Sequence, residues 1–204
     1  MRRLASLVSA SCLVAAVVLP TAAPALADSG KPGQSMTHIT TVEGMAPALE
    51  KTGVILYTKG GATSAVVGDS IAAPTSQVVF HVPITSSKGT VKHLGSVLAL
   101  FNTTSDKQVE LRNPVIDLKA GVVRAGVGAG PVVTVFTITN AKALKPKVTK
   151  DPATGNRVTA YSGARLAFAP GIADVVVSAL GLPAGSLADG AQFATADVTL
   201  HSTP

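Results

Sequence analysis

Two of the four histidines in this 204-residue chain lie twelve positions apart in a patterned stretch. His81 and His93 belong to "VVFHVPITSSKGTVKHLGSVLAL", residues 78–100, on either side of the loop Thr85-Ser86-Ser87-Lys88-Gly89. Val78, Phe80, Val82 and Ile84 alternate with Val79, His81 and Pro83, which predicts a strand with one fully apolar face. If that strand pairs across the loop with a second strand over 90–101, position 84 falls opposite 90 and position 81 opposite 93. The two imidazoles are then cross-strand neighbours, with Cβ atoms about 5 Å apart. Neutral imidazoles at that spacing can share Zn, Cu or Ni. A complete metal site needs two further ligands, and His38, Glu43, Asp69 and Asp117 could supply them only through the fold. The competing reading is a structural pair on a hairpin face, and a bulge at Gly95-Ser96 would shift the register and separate the rings.

A second group of residues with chemical potential is cationic. Lys142, Lys145, Lys147, Lys150 and Arg157 flank the loop "KDPATGN" at 150–156. They fit a contact for phosphate-bearing wall polymers or lipid. They fit better an edge hairpin that uses charge to prevent sheet-to-sheet association. Tyr57 and Tyr161 are the only tyrosines. Either could ligate haem iron or stack on a sugar, although a strand tyrosine is commonly packing with its hydroxyl at the rim.

Hydrolytic chemistry has little support. No G-x-S-x-G elbow occurs, since "PAGSLADG" places Gly190 too far from Ser186. Carboxylates are sparse, and Glu110 with Asp117, or Asp189 with Asp197, could pair only through the fold. "DPATGN" has too few alternate oxygen ligands for a calcium loop. "NTT" at 102–104 is formally a glycosylation sequon.

The elements that would position these residues are mostly strands. "MTHITTV" (36–42), "VILYT" (54–58), "KQVELR" (107–112), "VIDL" (115–118), "VVRAGV" (122–127), "VVTVFTIT" (132–139) and "AQFATADVTL" (191–200) read as strands. Asn113-Pro114, Gly121 and Gly130-Pro131 punctuate them. "MAPALEKTG" (45–53) predicts a short helix with Gly53 as its left-handed stop. In "GIADVVVSALG" the helical spacing of Ile172, Val175 or Val176, and Ala179 or Leu180 competes with three consecutive valines that favour a strand, and the spacing, with Gly181 as a stop, predicts a short helix. An internal echo links "PALEKTGVIL" to "VSALGLPAG", each a small apolar helix before a glycine. Nineteen glycines and thirteen prolines among alternating apolar runs predict an all-β fold, a mostly antiparallel β-sandwich or flattened barrel with one or two short helices.

The first residues give an address. Arg2 and Arg3 precede the apolar run Leu4 to Leu19, and Ala25-Leu26-Ala27 is a small-x-small cleavage signal, so residues 1–27 read as a secretory signal peptide. Residues 28–35 follow as a flexible lead, and 36–204 as a single β-rich domain. Removing 27 residues from the 204 leaves 177, enough for one domain with a real core. Cys12 is the only cysteine, so the mature chain has no disulfide, thiolate metal site or cysteine nucleophile. Taking Arg2 and Arg3 from the 17 basic residues leaves 15 against 11 acidic ones, a net charge of +4. That balance suits solubility first, and association with anionic wall polymers or headgroups second. With no tryptophan and few aromatics to stack on bases, nucleic acid is not an expected partner. No later segment is long and apolar enough to be read as a transmembrane helix.

The signal peptide together with "GTVKHLGSVLAL", "VELRNPVIDLKAG" and "ALGLPAGSLADGAQFATADVTL" is similar to small secreted proteins of high-GC Gram-positive bacteria, and resembles HtaA-type cell-envelope haem-binding domains. The resemblance implies an envelope location and an all-β body. The tryptophan-rich start of such haem domains is missing and no Tyr–His ligand set can be placed, so no site residue is carried across. The expectation is a secreted or extracellular protein, in places wall-associated, that is not an enzyme and that binds a surface polymer or small ligand, with no cofactor. A haem or metal carrier using His81 and His93 is the alternative, and a secreted hydrolase the second alternative.

Overall fold

The computed structural model describes residues 34–202; the expected signal peptide and most of the lead lie outside the described residues. The strands are β1 (Met36–Thr41), β2 (Val54–Gly60), β3 (Thr63–Val67), β4 (Gln77–Pro83), β5 (Val91–Lys92), β6 (Ser96–Asn102), β7 (Lys107–Asp117), β8 (Val122–Val127), β9 (Val132–Ile138), β10 (Lys147–Lys150), β11 (Arg157–Phe168) and β12 (Gln192–Ser202). All belong to one antiparallel sheet in the order β2-β6-β7-β8-β9-β11-β12-β1-β4-β3, with β5 on β7 and β10 on β11. The two end strands, β2 and β3, follow one another in the chain with only Gly61 and Ala62 between them. The sheet therefore curls until its edges meet at one bend, a nearly closed all-β barrel.

Alternation builds the interior. Val54 and Leu56, Val78, Phe80 and Val82, Leu98 and Leu100, and Val109 and Leu111 are all buried, each contributing roughly 1.5–3 kcal/mol. Two bulges reset the alternation. On β7 the register shifts between Arg112 and Val115, where Asn113 takes a left-handed φ of 51°, so the inward residues change from Val109 and Leu111 to Ile116. On β11 the shift between Tyr161 and Ala164 does the same, ahead of Leu166 and Phe168. Phe136, Phe168 and Phe193 meet with ring centroids 5.3–5.5 Å apart.

Two helices, α1 (Met45–Lys51) and α2 (Ile172–Leu180), lie at the same end of the barrel. Each follows a left-handed glycine, Gly44 or Gly171, and each precedes one, Gly53 or Gly181, as the internal echo of a small helix before a glycine has it. Helix α2 wins over the strand that its valines favour because both its ends are satisfied from outside. Asp189 accepts from the backbone N–H groups of Gly171 and Ala173, while Asn102 and Ser105 donate to the Leu180 carbonyl. The buried Ile172, Val176, Val177 and Leu180 then face the core at helical spacing.

The expected hairpin between residues 77–84 and 90–101 does not form. Strand β4 is hydrogen-bonded on one edge to β1 and on the other to β3, so it has no free edge for a further strand. Only a short local closure survives across the loop, with Thr85 N–H donating to the Lys92 carbonyl and Lys92 N–H to the Ser86 carbonyl. The predicted strand over 90–101 is broken at His93 to Gly95, and its two parts join β7 and β2 across the barrel. Strand β3 had no signal of its own in the sequence.

The bend that brings the sheet edges together depends on Gly60. Its φ is +70°, and a Cβ there would lie 1.8 Å from the Gly95 carbonyl oxygen, whose partner is the Gly61 N–H. Gly60→Ala should destabilise the domain by at least about 2 kcal/mol through strain and collision. Urea unfolding checks this, and an unchanged midpoint would refute it.

Candidate functional site

His93 lies inside the barrel, 1% exposed, and both ring nitrogens are engaged. Nδ1 lies 2.9 Å from the Pro114 carbonyl and Nε2 lies 2.8 Å from the Thr37 hydroxyl. A carbonyl only accepts, so Nδ1 carries the proton and Nε2 accepts from Thr37. The bulge at Asn113-Pro114 makes this possible. It turns the Pro114 carbonyl toward His93, where it also accepts from the His93 backbone N–H at 3.0 Å, and the Asn113 side chain accepts from Gly95 N–H at 2.7 Å. Burial holds the imidazole below its ordinary value of 6.5, opposed by the Pro114 carbonyl. His93 is a neutral internal strut.

His81 is elsewhere. It sits on the opposite face of β4 from Phe80 and Val82, between His38 on β1 and Thr63 on β3. The His38 and His81 rings meet edge to face, 4.7 Å between centroids and 85° between planes. The expected His81–His93 metal pair is therefore not formed: β4 is saturated by other strands, and His93 spends both nitrogens on the protein. Among the described residues, no group of three or more His, Cys, Asp or Glu could hold a metal ion. The barrel interior offers no room for a ligand in its place. Its cavity, walled by His93 and apolar residues such as Val82, Leu111 and Phe136, measures about 20 Å³, one water at most.

The carboxylates have structural duties. Lys59, and then Arg112, hold Glu110 below the usual carboxylate range through contacts of 2.7 and 2.6 Å. This network staples the outer face of β2 and β7, with Tyr57 donating to Gln108. Asp117 bonds Ala120 N–H and lies 3.5 Å from Arg124, Asp197 accepts from Gly163 N–H, and Asp189 serves α2. One Ser–His–Asp grouping, which the sequence did not suggest, brings Ser35 to His201 and His201 Nδ1 to 3.9 Å from Asp151. It is not a relay. The Ser35 hydroxyl is bonded to the backbone N–H and carbonyl of His201 rather than to the ring. Asp151 is held below its usual range chiefly by the Ala153 N–H, as the cap of a turn.

The remaining candidates gather at the barrel end opposite the helices. Lys142 lies on a short 3-10 turn (Ala141–Ala143), Lys145 on the following connection, Lys147 and Lys150 on β10, and Arg157 on β11. Strand β10 pairs only with β11, so it is the edge strand that the sequence allowed for. The five cations do not share one face. Lys150 stands directly opposite Arg157, while Lys147 points to the other side of the hairpin. The fold adds two lysines that sequence spacing did not connect with them, Lys119 on the β7–β8 turn and Lys88 on the loop after β4. All seven are exposed, and among the described residues none has an ion-pair partner.

Between these segments lies a cleft of about 390 Å³. Val91 and Ile116 form its buried floor, and the half-buried Leu118, Leu144, Tyr161 and Leu200 form its walls. Lys119 is at its margin, and Lys88 sits between the lining residues Ser87 and Gly89. No protein-family model, curated protein or solved structure matches the chain.

Because burial inside the barrel disfavours the charged imidazole, folding favours the neutral ring of His93. The unfolded chain binds the proton more readily, so this contribution is whole above about pH 6.5 and declines as the pH falls below it. Stability measured between pH 8 and 5 should drop on the acid side, with His93 contributing a slope of at most about 1.4 kcal/mol per pH unit. His93→Gln, which can keep one donor and one acceptor, should flatten that share; parallel profiles for both proteins would refute it.

Proposed function

We propose that this is a secreted, non-enzymatic protein that acts at or outside the cell envelope by holding an anionic envelope component. The barrel is the scaffold, and the component binds at the end bearing Lys88, Lys119, Lys142, Lys145, Lys147, Lys150 and Arg157. The observation that carries this reading is the contrast between a filled interior and an exposed end with seven cations that, among the described residues, have no ion-pair partner. A barrel that carries cargo inside needs an internal cavity, and about 20 Å³ does not supply one. Unpaired surface lysines interact with polyanions through long-range attraction that salt weakens. The address follows from the opening residues of the sequence, which read as a signal for export.

Edge protection accounts for part of the charge, since Lys147 and Lys150 lie on an edge strand. It does not account for Lys88, Lys119 and Lys142, which are on turns and loops. Nor does it explain why Lys150 faces Arg157 rather than a carboxylate, a pairing that costs stability in the absence of an anion.

The mature protein should sediment with isolated Gram-positive cell walls and bind inorganic polyphosphate in solution, and both interactions should weaken with added salt. Replacing Lys142, Lys145, Lys147, Lys150 and Arg157 together by alanine should reduce both at least tenfold without lowering the unfolding midpoint. Retention equal to wild type, or binding indifferent to salt, would count against the reading.

A further inference from the structure

Polyanion binding alone leaves the apolar cleft unexplained. The inner face of β10, β11 and β12 extends beyond the barrel rim, and strand register orders the side chains along it. Tyr161 stands opposite Val198 at the rim, and Thr159 stands opposite Leu200 and Val148 one step out. Arg157, opposite Lys150 on one side and Ser202 on the other, forms the tip. Val198 is fully buried, Leu200 and Tyr161 are half-buried and Val148 is 49% exposed, so the face passes from core to water over the four residue steps from Tyr161 to Arg157. That distance is about 13 Å of strand. Apolar character falls along it while positive charge rises.

The cleft opens against the inner end of this face, and its volume lies within the range of small-molecule sites. Its floor residues Val91 and Ile116 belong to the core itself, so a chain lying there would join the apolar interior rather than rest on a polar surface. A phosphate polymer would use the lysines and leave this cleft empty. An ion with a hydrocarbon tail uses both.

We propose that the cleft and the hairpin tip form one site for a monomeric anionic amphiphile. Its alkyl or acyl chain lies between Tyr161, Leu200, Leu144 and Leu118, and its phosphate or carboxylate head sits on Lys150 and Arg157. The head relieves the repulsion between two facing cations, and the chain covers apolar surface that is otherwise wet. The proposal rests on the anion-binding reading above and names the class of ligand.

Calorimetry with butyl, octyl and dodecyl phosphate, each below its micelle concentration, tests the site alongside inorganic polyphosphate. Affinity should rise at least tenfold from butyl to dodecyl phosphate. Val148→Glu, at an exposed position midway along the face, should weaken dodecyl phosphate at least fivefold and leave the fold intact. Tyr161→Ser with Leu200→Ser should abolish the dependence on chain length while polyphosphate binding persists, and Lys150→Ala with Arg157→Ala should weaken all the alkyl phosphates. If polyphosphate binds but chain length has no effect, the amphiphile site is wrong and the anion-binding reading stands. If neither polyphosphate nor any alkyl phosphate binds, both fail. Binding to anionic lipid vesicles without binding to monomeric dodecyl phosphate would also overturn the site, replacing it with adsorption to a membrane surface.

Discussion

The hydrogen bonds of one buried imidazole hold the two sides of this barrel in register. His93 comes from a break between β5 and β6, takes its proton position from the Pro114 carbonyl on β7, and accepts from Thr37 on β1 across the interior. Each partner would be costly alone. A buried hydroxyl, a buried carbonyl and a neutral imidazole each lose water on folding, and each unsatisfied one costs roughly 1–3 kcal/mol. Together they satisfy one another. The arrangement also requires the Asn113-Pro114 bulge, the turn of the chain at Gly95 and the separation of β4 from β5, so several local irregularities serve one interior contact.

Closure imposes a second constraint. The sheet ends on β2 and β3, which are successive in the chain, and the barrel nearly closes because the chain bends at Gly60 where no side chain fits beside Gly95. The inward residues are large enough to fill the space that this closure encloses. A filled barrel is a rigid frame rather than a container, and it directs attention to its ends. One end is covered by α1 and α2. The other is surrounded by loops, by the free hairpin of β10 and β11, and by lysines drawn from five separate segments.

The proposed cationic site depends on register. Lys150 and Arg157 are seven positions apart, and Arg157 would have faced Asp151 had the hairpin paired one residue differently. The loop "DPATGN" prevents that. Asp151 caps its own turn through Ala153 and Thr154 N–H, which sets the hairpin and removes the nearest carboxylate from the cations. The same register places Thr159, Tyr161 and Leu200 on the face that continues from the core.

Much of the architecture was legible in the sequence, because alternation, helical spacing and glycine stops are local properties. Val78, Phe80 and Val82 face inward as their period predicts, Gly53 and Gly181 take left-handed conformations after the helices, and the break at Gly95 falls where a glycine in a strand suggested one. The reading of residues 1–27 as an export signal, the lack of cysteine after Cys12 and the basic character likewise come from the sequence alone. What it could not determine was which strands pair. His81 and His93 looked like neighbours because a short loop separates their segments, yet β4 finds both its partners elsewhere, and the choice among edges depends on the closure of the whole sheet. The facing of Lys150 and Arg157, the cleft beneath Tyr161 and the burial of His93 all follow from that choice. They join residues distant in sequence, and only the tertiary structure decides which distant edges satisfy one another's hydrogen bonds.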